Sequence, residues 1–303
     1  MPRSPLYIVS KGRWANAYTM RALDAMGVPY FVVVEPPEAD QYATAVMLSR
    51  EATLLVLPET PPPGAGSIPA RNYAWRHAKN VLGADAHWCL DDNLRGFHVL
   101  TDNRIIPAKT GLVFDLAEAW CAQYANIGLM GFQYSGLVKR RFARPPFMLN
   151  TRIYSCVWIP HARLARTLTE PWRGVYNEDT DLSLRVLKAG LVTVLFYMFL
   201  AKKLPSRSQR GGNTDSIYAL PDADVQFAES LRAQHPDVVR VARRYGRTHH
   251  VVDYARFTQP LVRDPHAPGV AATYALARKS TPDGRRVRFD QRAADLVDGP
   301  ASP

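Results

Sequence analysis

The chain is poor in the residues and patterns that mark a disulfide-stapled, zinc-bound or membrane-spanning protein. Its 3 cysteines, Cys89, Cys121 and Cys156, stand far apart without Cys-x-x-Cys spacing, which excludes a disulfide framework and a zinc knuckle and leaves buried, reduced thiols as the expectation. Long apolar runs are missing too. The longest nearly apolar stretch, Leu191 to Ala201, includes Thr193 and stops at Lys202 and Lys203, well short of the roughly 20 residues a membrane-spanning helix needs. Met1-Pro2-Arg3-Ser4-Pro5 offers neither an apolar signal core nor a small-residue cleavage site, so the expectation is a cytoplasmic protein with no membrane association. Acidic residues are the scarcer charge, 27 Asp+Glu against 38 Lys+Arg, for a net charge of +11 over 303 residues. Such a surplus calls for a polyanionic partner, because basic side chains that neutralise phosphates release condensed counterions. What is present in ordinary measure is apolar residue, 47% against 21% charged, which is enough to fill a core and excludes wholesale disorder.

Leu6 to Ser10 and Tyr30 to Glu35 are short β-branched and aromatic runs, separated by a segment from Asn16 to Met26 with apolar residues at helical spacing. That pattern predicts a strand–helix–strand start. Thr53 to Leu57 reads as a third strand stopped by Pro58, and Pro69 to Leu82 as a helix ended by Gly83. Ala86 to Leu90 reads as a fourth strand that delivers Asp91-Asp92-Asn93 at its carboxyl end. Further along, the spacing predicts a helix over Leu112 to Tyr124, strands over Ile127 to Tyr134 and Ile153 to Ile159, and an amphipathic helix after Glu178-Asp179-Thr180-Asp181 that runs through Lys188 to Gly190. Alternating strands and helices argue for an α/β fold with a mostly parallel central sheet flanked by helices, and such sheets bind nucleotides outside the carboxyl ends of their strands. The simplest division is one domain over residues 1–258 and an extension over 259–303, whose Pro, Gly and charge content from Thr281 onward suits a mobile tail.

Two carboxylates and an amide on one turn, Asp91, Asp92 and Asn93, suit a hard divalent cation that also needs diphosphate oxygens; the same residues are also common turn formers after a strand. Upstream, Ala70-Arg71-Asn72 opens a helix whose free N–H groups and guanidinium can face an anion, or else simply face solvent. Glu178, Asp179 and Asp181 precede a helix, where they can cap it or supply a general base. Gly211-Gly212-Asn213, near Arg207 and Arg210, suits a loop that closes over a phosphate or an ordinary surface turn. His249 and His250 can reach a metal or a phosphate, although a His pair is more often structural. Lys139, Arg140, Arg141 and Arg144 around Phe142, and Arg243 and Arg244 beside Tyr245, read as nucleic-acid contacts or as solvated faces.

Ile8-Val9-Ser10-Lys11-Gly12-Arg13-Trp14, the Ala70-Arg71-Asn72 helix start and Leu90-Asp91-Asp92-Asn93 together resemble glycosyltransferases of the GT-A type. A narrower resemblance is to the TET-associated glycosyltransferases of tailed phages. It rests on Asn150-Thr151-Arg152-Ile153-Tyr154-Ser155, Gly211-Gly212-Asn213-Thr214 and Gly246-Arg247-Thr248-His249-His250-Val251-Val252-Asp253-Tyr254, in that order, and spans roughly residues 6 to 257. The resemblance implies a nucleotide-diphospho-sugar transferase fold and a metal-dependent enzyme. The sugar would pass from a nucleotide donor, a UDP-sugar in the first instance, to the hydroxymethyl group of a 5-hydroxymethylpyrimidine in phage DNA, above all 5-hydroxymethylcytosine. It implies Mn²⁺ or Mg²⁺ held by Asp91, Asp92 and Asn93, with His249 and His250 in reach. Donor contacts would come from Ser10, Lys11, Arg13, Glu35, Arg71, Asn72, Asp91, Gly211, Gly212 and Asn213. Asp179 would be the base, supported by Glu178 and Asp181, and Lys139, Arg140, Arg141, Arg144, Arg207, Arg210, Arg243 and Arg244 would bind the DNA. A polysaccharide or lipid-linked acceptor, and a non-catalytic DNA-binding module, are the competing readings.

Overall fold

The computed structural model describes residues 2–101, 103–138, 146–168, 171–174, 176–204, 211–212, 222–244 and 246–267. The chain begins β1 (Leu6–Val9), α1 (Tyr18–Asp24), β2 (Tyr30–Val34), α2 (Ala39–Met47), β3 (Ala52–Val56), α3 (Ile68–Arg76) and β4 (Ala86–Asp91). It continues through β5 (Leu94–Thr101), β6 (Arg104–Pro107), α4 (Leu112–Cys121), β7 (Ile127–Tyr134), β8 (Phe147–Leu149), β9 (Cys156–Pro160) and α5 (His161–Leu164). Then come α6 (Glu178–Lys188), β10 (Val192–Lys203), α7 (Ala223–Gln234), β11 (Val239–Arg244) and β12 (Arg247–Val252). Among the described residues, no helix is long and apolar enough to cross a membrane.

All but the last two strands form one 10-stranded sheet in the order β3-β2-β1-β4-β9-β7-β10-β5-β6, with β8 also on β10. The pairings make β1, β2, β3, β4, β6, β7 and β10 share one direction, while β5, β8 and β9 run against it. The expected α/β class, with a mostly parallel sheet flanked by helices, is what the structure shows. All four residues of β1 are buried, as a strand covered on both faces requires. Leu6 and Ile8 pack in one core with Met20 of α1 and Phe114 of α4, whereas Tyr7 and Val9 pack in the other with Trp75 of α3 and Leu182 of α6. The two-residue alternation of the strand therefore builds both helical layers. Cys89, Cys121 and Cys156 are free and buried in this interior.

Two elements differ from the sequence expectation for local reasons. The strand expected from Ile153 begins at Cys156 because Ser155 takes a left-handed backbone, φ 57, which breaks the ladder and turns Ile153–Ser155 toward the sheet's rim. Helix α4 stops at Cys121, and Tyr124 instead bridges to Arg263. Of the extension, residues 259–267 lie on the domain: Asn126 Nδ2 donates to Pro260 O at 2.8 Å, and Gln259 Nε2 donates to Leu187 O at 2.9 Å. The rest of the extension lies outside the described residues.

Candidate active site

A cleft of about 280 Å³ opens at the carboxyl ends of the strands, with Val9, Glu35, Asp91, Tyr134 and Lys203 at its edge. Strand β1 is where the strand order turns, with β2 and β3 to one side and β4 to the other. Backbones diverge at such a point and leave a crevice for a ligand. Strand β9 runs the opposite way, so its amino end reaches the same rim and brings Arg152 and Ser155 into the cleft.

The acidic turn is densely bonded. Asp91 Oδ1 accepts from Arg71 Nη2 at 2.8 Å, and Asp91 Oδ2 accepts from Ser155 Oγ at 2.6 Å and Lys203 Nζ at 2.8 Å. Burial pushes the Asp91 carboxyl up, but Lys203 and Arg71 beside it prevail and hold it well below the usual carboxylate range. Asp92 Oδ1 accepts from Arg13 Nη1 at 2.5 Å and Oδ2 from Ser10 Oγ at 2.8 Å. Here burial dominates, and the Asp92 carboxyl lies above its usual range despite Arg13. Lys11 pairs with Glu35 at 2.7 Å, with its ammonium end near solvent.

Gly211 and Gly212 are packed onto the turn after β1. Gly212 N–H donates to Lys11 O at 2.9 Å, and Arg13 Nη2 donates to Gly211 O at 2.9 Å. A Cβ on Gly211, whose φ is +82, would stand 2.5 Å from the Gly12 carbonyl oxygen, so only glycine fits this close approach.

Helix α6 forms the facing wall. Asn177, in a left-handed conformation at φ 61, turns the chain so that the helix starts at the cleft. Ser67 Oγ donates to Glu178 Oε1 at 2.9 Å, and Arg71 Nε stands 3.3 Å from the same oxygen, tying α6 to α3. Burial raises the Glu178 pKa, and Arg71 opposes the shift. Asp179 Oδ1 accepts from Thr180 N–H at 2.6 Å, while Oδ2 faces Arg152 Nε at 3.7 Å. Among the described residues Arg152 is its ion-pair partner, and a carboxylate so placed on a cleft wall can accept a proton.

Of the residues singled out in the sequence, Ser10, Lys11, Arg13, Glu35, Arg71, Asp91, Asp92, Asn93, Glu178, Asp179 and Gly212 line this one cleft. Asp181 does not. It is 1% exposed and is held by Arg185 Nε at 2.7 Å, His235 Nε2 at 2.9 Å and Arg173 Nε at 3.2 Å, a buried ion cluster that anchors α6. Asn72 also turns away: its amide donates to Trp172 O at 2.9 Å and accepts Trp172 N–H at 3.0 Å, which seats the Trp172 ring 4.8 Å from the Arg71 guanidinium. Arg243 and Arg244 are exposed on the β11–β12 hairpin. Lys139, Arg140, Arg141, Arg144, Arg207, Arg210 and Asn213 lie outside the described residues. The residues that sequence reading missed are Lys203, Ser155 and Arg152 as site groups, along with Ser67, Tyr134 and Tyr176. Lys203 does carry a signal in the sequence, a lysine at the carboxyl end of a long apolar run.

The expected ion does not fit this donor set. Mg²⁺ or Mn²⁺ needs about six oxygens at roughly 2.1 Å, yet every carboxylate oxygen of Asp91 and Asp92 already accepts from a cation or a hydroxyl. Asn93 Oδ1 alone of the triplet's side-chain oxygens has no partner. His249 and His250 stand on β12, in a separate two-stranded sheet, and burial with Arg152 nearby drives His250 down to about 4. Among the described residues no cluster of three His, Cys, Asp or Glu side chains could hold a metal. The walls carry as many basic side chains (Lys11, Arg13, Arg71, Arg152, Lys203) as acidic ones (Glu35, Asp91, Asp92, Glu178, Asp179), so no surplus of negative charge awaits a cation.

No curated protein matches the chain in sequence. Among solved structures, the crystal structure of S. aureus TarS 1-349 is similar, with a TM-score of 0.44 and 11% identity over 76% of this chain and 64% of that one; the chain thus spans less than two thirds of the TarS chain. The model of the TET-Associated Glycosyltransferase family matches residues 4–212, a stretch that holds β1 through β10 and every residue found to line the cleft. On that match over more than half of its length, the chain belongs to the TET-associated glycosyltransferase family.

Proposed function

We propose that the cleft binds a nucleotide-sugar and that the protein transfers the sugar to the hydroxymethyl oxygen of a 5-hydroxymethylpyrimidine in DNA, with 5-hydroxymethylcytosine as the first acceptor to test. The observation that carries this reading is that the Asp179 carboxylate lines the same cleft as the Asp91 rim, at the crevice where α/β sheets take nucleotides. Asp179 accepts the acceptor's hydroxyl proton as that oxygen attacks the anomeric carbon, an inverting displacement. Arg152, 3.7 Å away, is the cation that faces the carboxylate, and His250, lowered to about 4 by burial and by Arg152, is neutral at pH 7. Glu178 holds Arg71 in place from the α6 side.

The hairpin supports DNA as the acceptor. Its register sets Arg240, Arg244, Arg247 and His249 on one face and His250 on the other. His250 is close enough to Arg152 and Asp179 to feel their charges, so the face that carries His250 and Arg243 is the one nearer the cleft and the Arg240, Arg244 and Arg247 face is the opposite, outer one. Arg244 and Arg247 stand directly opposite each other, an arrangement that like charges disfavour unless an anion joins them.

The test is mass spectrometry of nucleosides after incubating hydroxymethylcytosine-containing DNA, unmodified DNA and a lipid-linked acceptor with a panel of nucleotide-sugars. A glycosylated hydroxymethyl nucleoside from the first substrate alone is the expected product. Sugar found only on the lipid-linked acceptor, or on none, overturns the proposal.

A further inference from the structure

A departing nucleoside diphosphate gains negative charge as the sugar–oxygen bond breaks, and catalysis needs preorganised positive charge at that point. The family resemblance assigns this task to a divalent ion, but the oxygens meant to hold the ion are already occupied by donors. The most telling of these is Lys203. Its ammonium lies 2.8 Å from both Asp91 Oδ2 and Ser155 Oγ, over the Tyr134 ring at 5.4 Å, at the carboxyl end of β10 and on the cleft wall. An ammonium has three N–H donors; two are directed at Asp91 and Ser155, and the Tyr134 side chain is a further neighbour within its reach. Arg13 occupies the equivalent place beside Asp92 and lines the same cleft.

We propose that Lys203, together with Arg13, supplies the positive charge against the diphosphate leaving group, in place of a divalent cation. The inference rests on the donor-cleft reading above. In the step concerned, the bond between the anomeric carbon and the phosphate oxygen breaks with its electron pair going to that oxygen. The acceptor oxygen forms the new bond to carbon, and its proton passes to Asp179. The charge that appears on the diphosphate faces Lys203 and Arg13, two fixed cations that need no metal exchange between turnovers. Asp91 and Asp92 then hold these cations in position, and the acidic turn acts as a cradle for basic groups.

The experiment is calorimetric titration of the full chain with uridine, cytidine, guanosine, adenosine and thymidine diphosphates, each in EDTA and in MnCl₂. At least one nucleotide is expected to bind with affinities within about threefold in the two buffers, and Lys203→Met to weaken that binding at least tenfold, with Lys203→Arg restoring part of it. Binding that vanishes in EDTA and returns with Mn²⁺ overturns the inference while leaving the donor cleft intact. A Lys203→Met protein that is folded and binds as the parent does also overturns it. If that variant does not fold, the EDTA arm on the parent protein decides alone. Failure of every nucleotide to bind in both buffers overturns the donor-cleft reading and this inference with it.

Discussion

Glu118 of α4 shows how much a single side chain can govern. It is 4% exposed, and its carboxyl accepts from Trp88 Nε1 at 2.7 Å and Ser4 Oγ at 2.9 Å without a cation in contact. Burial lifts its pKa from 4.5 to about 7. The folded state thus binds this proton more tightly than the unfolded chain does, so the contribution is complete below the unfolded value near 4.5 and is lost as pH rises through about 7. A shift of that size corresponds to about 3 kcal/mol. Glu118→Gln keeps an oxygen for Trp88 and carries no proton to lose. Urea unfolding is therefore expected to show the variant more stable than the parent at pH 8.5, with the difference vanishing near pH 4. An equal gap at both pH values would contradict the assignment. Asp91 is the opposite case, a half-buried carboxyl given cations on both oxygens and held well below the usual carboxylate range.

Helix α6 carries two kinds of carboxylate on one turn. Asp181 lies two positions after Asp179, about 200° around the helix, so one faces the cleft and the other the interior. Asp181→Asn leaves the buried Arg185 guanidinium, and Arg173 beside it, without their carboxylate, and an unfolding loss of about 3–5 kcal/mol is expected. Asp179→Asn is expected to change stability by less than about 0.5 kcal/mol and to reduce transfer by about 100- to 10,000-fold. Denaturant titration and a sugar-transfer assay run on both variants separate them, and a crossed result, with Asp181→Asn stable but inactive, would reverse the two roles. The same geometry explains what could be read from sequence. β1, β2, β4, β7 and α6 were legible because their apolar residues repeat at strand or helix spacing, and the cleft carboxylates because they sit where such an element starts or stops. β5 was hidden by Arg95 and Gly96, and α2 by an exposed surface, with Met47 at its end 84% exposed. Lys203 and Ser155 meet Asp91 across 112 and 64 positions, and no local pattern announces a contact made only when strands from distant parts of the chain align. The direction of Asp181 was illegible for a related reason, since its partner His235 arrives from α7.

For the molecule as a whole the net charge is +11, and on the β11–β12 hairpin Arg240, Arg244 and Arg247 have no ion-pair partner among the described residues. If each neutralises one phosphate, replacing Arg244 and Arg247 by Ala is expected to lower the slope of log affinity against log salt by about 0.9 apiece on duplex DNA. Transfer to a free hydroxymethylated nucleoside should be unaffected. Fluorescence anisotropy over a salt series measures the first quantity, and an unchanged slope would remove the hairpin from the DNA contact. The placement of β10 has a consequence of another kind. This strand, from late in the chain, is inserted between β7 and β5, both of which leave the ribosome before it. The nascent polypeptide must hold two unpaired strand borders apart until residue 203 has emerged, a period in which they are open to pairing with other chains. A chain stopped before that residue is therefore expected to associate with others through these borders.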